Sequence, residues 1–409
     1  MADTTVVLVG TLDTKGREYA FLRDRLHAAG VATILVDAGI MGPPLVEPDV
    51  SREQVAAAAG ADVEALRAAG DRGQAVLAMA RGATAVVARL HAEGRCDGVL
   101  AAGGSGNTSI AAEAMRALPV GIPKLIVSTI AAGDTRPIVG ASDLLLAPSV
   151  VDVAGINSVS ARILANAAAA MAGMVQAVEL EAGESRPLIA ASMFGVTTPC
   201  VTHAAETLDG LGYEVLTFHM TGTGGRSMEA LIAGGFISGV LDATTTELCD
   251  ELVGGVLSAG ADRLTAAGTA GVPQVVSLGA LDMVNFGPRE TVPPQFEGRN
   301  LYVHNAQVTL MRTTAEECAQ LGEEVARKLS AATGPVALFV PLGGISMIAT
   351  PGGPFFDAEA DEALFAAVRA NVSDNVELVE LESDINAPAF ADAMVAKLHS
   401  YLGTPTEAR

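Results

Sequence analysis

The stretch Gly98-Val-Leu-Ala-Ala-Gly-Gly-Ser-Gly-Asn-Thr-Ser109 constrains the fold of this chain more than any other. It begins apolar, passes through closely spaced glycines into hydroxyl and amide side chains, and leads into an alanine-rich segment. That pattern spells strand, tight turn, helix. Gly103, Gly104 and Gly106 let backbone approach a ligand closely, and Ser105, Asn107, Thr108 and Ser109 put hydrogen-bonding groups at the helix start. Unpaired amides and the positive end of the helix dipole favour an anion there. The stretch is either a phosphate or carboxylate cradle or an ordinary βα turn carrying common capping residues.

The same plan recurs along the chain. Residues 5–9 form a short apolar strand, Gly10-Thr-Leu-Asp-Thr-Lys-Gly16 a loop, residues 17–29 a helix stopped by Gly30, and residues 31–36 a second strand ending at Asp37-Ala-Gly39. Strand, helix, strand in this order implies a parallel sheet, and ligands of such sheets sit beyond the carboxyl ends of the strands. Thr11, Asp13, Thr14, Lys15 and Asp37 all lie there. Lys15 can neutralise a phosphate, Asp13 can hold a metal and Asp37 can accept from a ribose hydroxyl; alternatively Asp13 and Thr14 cap the helix and Lys15 is solvated. Residues 41–95 are an excursion containing a long helix over 72–92, where Arg72 either reaches an anion or stands as a surface arginine. Strands follow at 124–128 and 144–147, the first ending in a third polar loop with Ser128, Thr129, Gly133 and Asp134. A crossing helix over 159–178 leads to a charged segment, and the boundary is expected at Gly183, giving units 1–183 and 184–409.

The second half repeats the order of landmarks. Strands are expected at 188–193, 214–219, 239–243, 273–277 and 300–304, then at 335–340 and 376–381, which suggests two similarly wound sheets. The chemistry differs. Gly222-Thr-Gly-Gly-Arg-Ser227 looks like a second anion cradle, with amides from Gly222, Gly224 and Gly225, side chains from Thr223 and Ser227, and a guanidinium from Arg226. Asp242, Glu247 and His304 follow later strands and are expected to share one crevice with it, where a small anionic metabolite would bind. His304 is either an acid/base group or a strand-end core histidine, and Glu247 either a catalytic carboxylate or a helix cap.

Composition narrows the function classes. The 409 residues carry 47 Asp plus Glu against 25 Lys plus Arg, a net charge of −22, which repels nucleic acid and anionic lipid. Any bound anion then needs a local site built largely of backbone. Cys96, Cys200, Cys249 and Cys318 are scattered without metal-ligand spacing and read as buried thiols in a reducing, cytoplasmic compartment. No metal site is expected from them. The N-terminus has no signal pattern, and the apolar helix around 163–178 is expected in the core rather than across a membrane. The sequence has no P-loop, no complete G-x-G-x-x-G after its first strand, no G-x-S-x-G elbow and no H-E-x-x-H helix.

Gly10-Thr-Leu-Asp-Thr-Lys15, Val36-Asp-Ala-Gly39, Gly103-Gly-Ser-Gly-Asn-Thr108 and Gly222-Thr-Gly-Gly225 with Met228-Glu229 resemble the Tm-one-like ATP-binding family. The resemblance spans nearly the whole chain. It implies an α/β protein of two Rossmann-like domains, each a mainly parallel sheet flanked by helices, with ATP in the N-terminal one and a homodimer as the assembly. Mg²⁺ is a candidate companion of the nucleotide. Carried onto this sequence, the ATP residues are Thr11, Asp13, Thr14, Lys15, Asp37, Gly103 to Thr108 (Gly104, Ser105, Gly106 and Asn107 between them), Ser128, Thr129 and Gly133. The antiviral activity of a plant member with a further barrel domain is not carried over. Two functions follow: a nucleotide-binding protein, or a metabolic enzyme acting on a carboxylate or phosphate in the C-terminal crevice with ATP as substrate or effector.

Overall fold

Strands buried on both faces need helices above and below them, and the near-continuous apolar runs of this sequence are strands of that kind. The computed structural model describes residues 4–177 and 186–403. The chain divides into two compact units at residues 181/182. The boundary expected at Gly183 lies among residues 178–185, outside the described residues.

In the first unit β1 (Thr5–Gly10), α1 (Leu12–Ala28) and β2 (Ala32–Asp37) form the expected βαβ unit. The excursion contains α2 (Arg52–Ala58), α3 (Val63–Ala69) and α4 (Arg72–Ala92). Then come β3 (Gly98–Gly103), α5 (Ser105–Arg116), β4 (Lys124–Ser128), α6 (Arg136–Val139), β5 (Leu145–Pro148) and α7 (Ser158–Val175). The five strands are all parallel, in the order β2-β1-β3-β4-β5. Alternate residues of β1 enter opposite cores, as the two-residue period of a strand requires. Val7 and Val9 pack with α2, α4 and α5, whereas Val6 and Leu8 pack with α1 and α7. The helix α7 is long and apolar enough to cross a membrane, but its Leu164, Ala167, Ala168, Met171 and Ala172 belong to that second core.

This winding positions the first site. The helices that leave β1 and β3 go to opposite faces of the sheet, so a crevice opens between the carboxyl ends of these neighbouring strands.

The second unit has β6 (Leu188–Met193), α8 (Thr198–Gly210), β7 (Glu214–His219), α9 (Thr223–Ala233), β8 (Gly239–Thr244), α10 (Glu247–Val253), α11 (Ala266–Ala270) and β9 (Gln274–Gly279). It continues through β10 (Met283–Phe286), β11 (Leu301–Asn305), β12 (Val308–Arg312), α12 (Ala315–Ser330), β13 (Val336–Pro341), α13 (Ala358–Asn371), β14 (Val376–Leu381) and α14 (Pro388–Leu402). Its main sheet runs β7-β6-β8-β9-β13-β14, all parallel. The first five strands are therefore wound as in the first unit.

One strand departs from expectation. The segment 300–304 does not extend the main sheet. It forms β11, the edge of a separate three-stranded antiparallel sheet of order β10-β12-β11, inserted between β9 and β13. Its run Leu-Tyr-Val-His is apolar enough to read as a buried strand, yet Tyr302, Val303 and His304 are exposed.

Candidate functional site

The crevice of the first unit is built outward from one tyrosine. The ring of Tyr19 on α1 lies where a side chain on Gly10 would stand, 2.1 Å from an ideal β-carbon there, so only glycine can end β1. The Tyr19 hydroxyl donates to the Val9 carbonyl and accepts from the Ala102 amide (2.9 Å) and Asn107 Nδ2 (3.0 Å). Burial pushes this phenol well above its ordinary range, against the opposing pull of the Ala102 and Asn107 bonds. Asn107 Oδ1 in turn accepts from the Thr11 amide at 3.1 Å. The starts of α1 and α5 are thus tied together through buried polar groups, each with a partner.

The opening turn of α5 faces the crevice. Its N-cap is Gly104, which has no side chain to cap with, and the first intrahelical bond runs from Thr108 N to Gly104 O (2.9 Å). The amides of Ser105, Gly106 and Asn107 find no acceptor among the described residues. A β-carbon on Gly104 would meet nothing closer than Thr129 Oγ1 at 3.8 Å, and one on Gly106 nothing closer than Arg72 Nη2 at 3.7 Å. Both positions therefore leave room for a β-carbon at ordinary contact distance.

The cleft has a volume of about 620 Å³. Thr11, Asp13, Thr14, Lys15, Gly104, Ser105, Gly106 and Asn107 line it, so much of the expected nucleotide set is brought together. The remaining members are not part of its lining. Gly103 is pressed against Asn107, and Thr108 shares a 2.7 Å hydrogen bond with Ser128, tying α5 to β4. Thr129 donates its amide to Gly103 O, and Gly133 closes the turn after β4 on Ile130 O.

Asp37 departs from the ribose role expected of it. It is buried, its Oδ1 accepts from the amides of Leu12 (3.1 Å) and Gly39 (2.9 Å), and its Oδ2 accepts from Arg52 Nε (2.7 Å). Burial pushes this carboxyl up while the bonds from Gly39, Arg52 and Leu12 pull it down. Its lone pairs are committed to holding α1, the end of β2 and α2 in place. Asp13 differs. Its Oδ2 accepts from the Met41 (2.7 Å) and Gly42 (3.3 Å) amides, but its buried Oδ1 has no partner among the described residues.

The opposite wall comes from the excursion, and sequence reasoning missed most of it. Ile40, Leu66, Val76 and Met79, with Ile110 from α5, give an apolar surface. Arg67 is held by Ile40 O and Glu64, while Arg72 and Lys15 make no hydrogen bond or ion pair among the described residues. The one signal available in the sequence was the arginine at the start of a long helix.

The second unit carries a different arrangement at the corresponding place. The amides of Gly222 and Gly225 do hold an anion, but it is the carboxylate of Glu247, whose Oε1 accepts from them at 2.7 and 3.1 Å. Glu247 is fully buried, and a β-carbon on Gly225 would fall 2.0 Å from its Oε2. Arg263, missed by sequence reasoning, is the centre of this cluster. It donates to Glu247 Oε2 (2.8 Å), to both oxygens of Asp242 (2.6 and 2.7 Å) and to Glu229 (3.3 Å), with no exposed side-chain surface. Asp242 also accepts from Ser192 Oγ (2.6 Å).

The expected crevice therefore does not assemble. Asp242 and Glu247 meet, but around an internal guanidinium. Gly224 lies against the His219 carbonyl, Thr223 and Arg226 are exposed, Ser227 is half-buried, and Arg226 donates to Ser258 O (2.9 Å). His304 sits on β11 in the antiparallel sheet, not at an end of the main sheet.

Fold and site together define a class: two doubly wound α/β units in tandem, the first with an open, amide-rimmed cleft at its switch point and the second with that place filled from within. Residues 4–180 match the N-terminal domain, and residues 186–402 the C-terminal domain, of the uncharacterised protein family UPF0261, and the chain belongs to that family. It is 52% identical over 394 residues to the UPF0261 protein of Clostridium tetani (strain Massachusetts / E88), covering 96% of this chain and 98% of that one. It is 47% identical over 393 residues to the UPF0261 protein RA0729 of Rhizobium meliloti (strain 1021), covering 96% and 97%. The ToMV resistance protein Tm-1(GCR237) of Solanum lycopersicum is 40% identical over 413 residues, which cover 95% of this chain and 55% of the tomato protein. The resemblance to the Tm-one-like region is thus one of homology.

Proposed function

We propose that this chain is a nucleotide-binding protein that holds ATP in the cleft of residues 1–183. The observation that carries the reading is the convergence of three unpaired amides at the start of α5 with the free cations of Lys15 and Arg72, facing an apolar wall across one cleft. Amides at a helix start and basic side chains suit phosphates, and an apolar surface suits a base. ATP is the nucleotide that the likeness to the Tm-one-like family implies, and the residues present fit it. Gly104 and Gly106 leave space that any β-carbon would begin to fill, and Asp13 offers a buried carboxylate oxygen with no donor among the described residues. In this reading α5 and Lys15 receive the phosphates, and Ile40, Leu66 and Met79 cover the base. The second unit is not given a ligand, because Glu247 satisfies its glycine loop.

Gly104→Val tests the proposal. Its β-carbon meets no clash and its methyl groups enter the cleft, so the variant folds and loses ATP. At a hundredfold excess over Kd, ATP stabilises the wild type by about 2.7 kcal/mol, a shift of roughly 5–11 °C for a unit of this size. Titration calorimetry that finds unchanged ATP affinity in a folded Gly104→Val variant refutes the assignment.

A further inference from the structure

Arg72 is placed where a lone cation is disfavoured. It is the first residue of α4, at the positive end of that helix, whose first turn contains no acidic residue. The neighbouring carboxylate of Asp71 is committed to capping, accepting from the Gln74 amide at 3.0 Å. Arg72 Nη2 lies 3.7 Å from the β-carbon position of Gly106, so the guanidinium fronts the open turn of α5, a second positive helix end. Lys15 stands unpaired in the same cleft near the start of α1. In a chain with 47 acidic residues and only 25 basic ones, these two cations have no partner among the described residues, although three helices begin beside them. Asp13, Asp71 and Asp152 also line the cleft, but none of them pairs with Lys15 or Arg72 among the described residues, and a multiply charged anion between the two cations gives both a partner. Asp13 supplies an independent sign of a ligand here: its side chain is only 3% exposed, lines the cleft, and has an oxygen with no partner among the described residues.

We propose that Arg72 grips the terminal phosphate of a nucleoside triphosphate, so that the cleft distinguishes ATP from ADP. This rests on the nucleotide reading above and adds to it a specificity-determining residue. The planar fork of arginine matches two phosphate oxygens at once, whereas lysine offers a point charge. The left-handed Gly70 between α3 and α4 turns the chain so that α4 starts at the cleft.

Titration calorimetry on the full chain tests this with ATP, ADP and inorganic tripolyphosphate, using wild type, Arg72→Ala and Arg72→Lys. Arg72 is exposed and makes no hydrogen bond or ion pair among the described residues, so its removal leaves the fold intact, which circular dichroism checks. Arg72→Ala is expected to weaken ATP and tripolyphosphate about tenfold or more and ADP less than about threefold, with Arg72→Lys between wild type and alanine for ATP. Equal weakening of ATP and ADP, or of neither, overturns the inference. If Gly104→Val abolishes binding while Arg72→Ala leaves the ATP-to-ADP ratio unchanged, the nucleotide site stands and the role of Arg72 falls. A wild type that binds neither nucleotide overturns both.

Discussion

Removing the carboxylate of Glu247 should expose what the glycine loop of the second unit is for. Glu247→Ala deletes the acceptor of two buried amides, Gly222 and Gly225, and one partner of Arg263. A buried donor left without an acceptor costs about 1–3 kcal/mol. Arg263 keeps both oxygens of Asp242 and its contact with Glu229, so it is not stranded as a lone buried charge. The two amides then dominate, and the expected loss is roughly 2–6 kcal/mol. Glu247→Gln keeps an oxygen for the amides but turns a donor toward Arg263 Nε, and should lose less than alanine. Urea unfolding followed by far-UV circular dichroism measures both. The alanine variant also leaves a carboxylate-sized gap lined by two amides and a guanidinium. Formate should recover part of the lost stability where the same concentration of chloride recovers less. A loss below about 1 kcal/mol, or no difference between formate and chloride, would mean that Glu247 is not the anion this loop was built around.

Two further outcomes follow from buried polar groups. Burial raises the carboxyls of Asp250 to about 7 and of Asp282 and Asp361 to about 6, so between the ordinary value of 3.8 and these raised values the folded chain keeps protons that the unfolded chain has released. The stability they contribute is complete below that unfolded value and is lost as pH rises through about 6 to 7, so the melting temperature should fall between pH 5 and pH 8, and Asp282→Asn should flatten that fall. A melting temperature that rises across this interval, or a slope that Asp282→Asn leaves unchanged, refutes the assignment. Tyr19→Phe leaves the Ala102 amide without its acceptor and removes one of the two acceptors of Asn107 Nδ2, the Ala102 carbonyl remaining, which should cost about 1–3 kcal/mol and weaken ATP binding through a looser cradle; equal affinity in calorimetry would show that the cradle does not depend on this hydroxyl.

Local signals made much of the first site legible. Gly10-Thr-Leu-Asp-Thr-Lys15 and Gly103-Gly-Ser-Gly-Asn107 are strand ends, and strand ends in a parallel sheet converge wherever the strands are neighbours, as β1 and β3 are. The covering wall was not legible. Leu66 and Met79 reach the cleft through the packing of α3 and α4, which no short motif encodes; of this wall only Arg72, at the start of the long helix, carried a signal. Asp37 shows a related limit: an aspartate after β2 reads the same whether its partner is a ribose or Arg52, fifteen residues on. The second unit adds a third case. Gly222-Thr-Gly-Gly225 does signal an anion, but the sequence does not say whether that anion is a ligand or a glutamate 25 residues away. The strand at 301–305 was misplaced because exposure, not hydropathy, separates an edge strand of an added sheet from a core strand of the main one.

The anchoring tyrosine also gives the protein a built-in optical label. The chain has no tryptophan and four tyrosines, and of these only Tyr19 falls in the first unit, with Tyr213, Tyr302 and Tyr401 in the second. Its ring is sealed against Gly10 and its hydroxyl is shared between β1, β3 and α5. The aromatic ellipticity and ultraviolet absorption of an isolated first unit therefore come, for tyrosine, from the one ring beneath the cleft. Any ligand that shifts α5 against α1 writes directly onto that chromophore, and can be followed without a dye, a tag or a substitution.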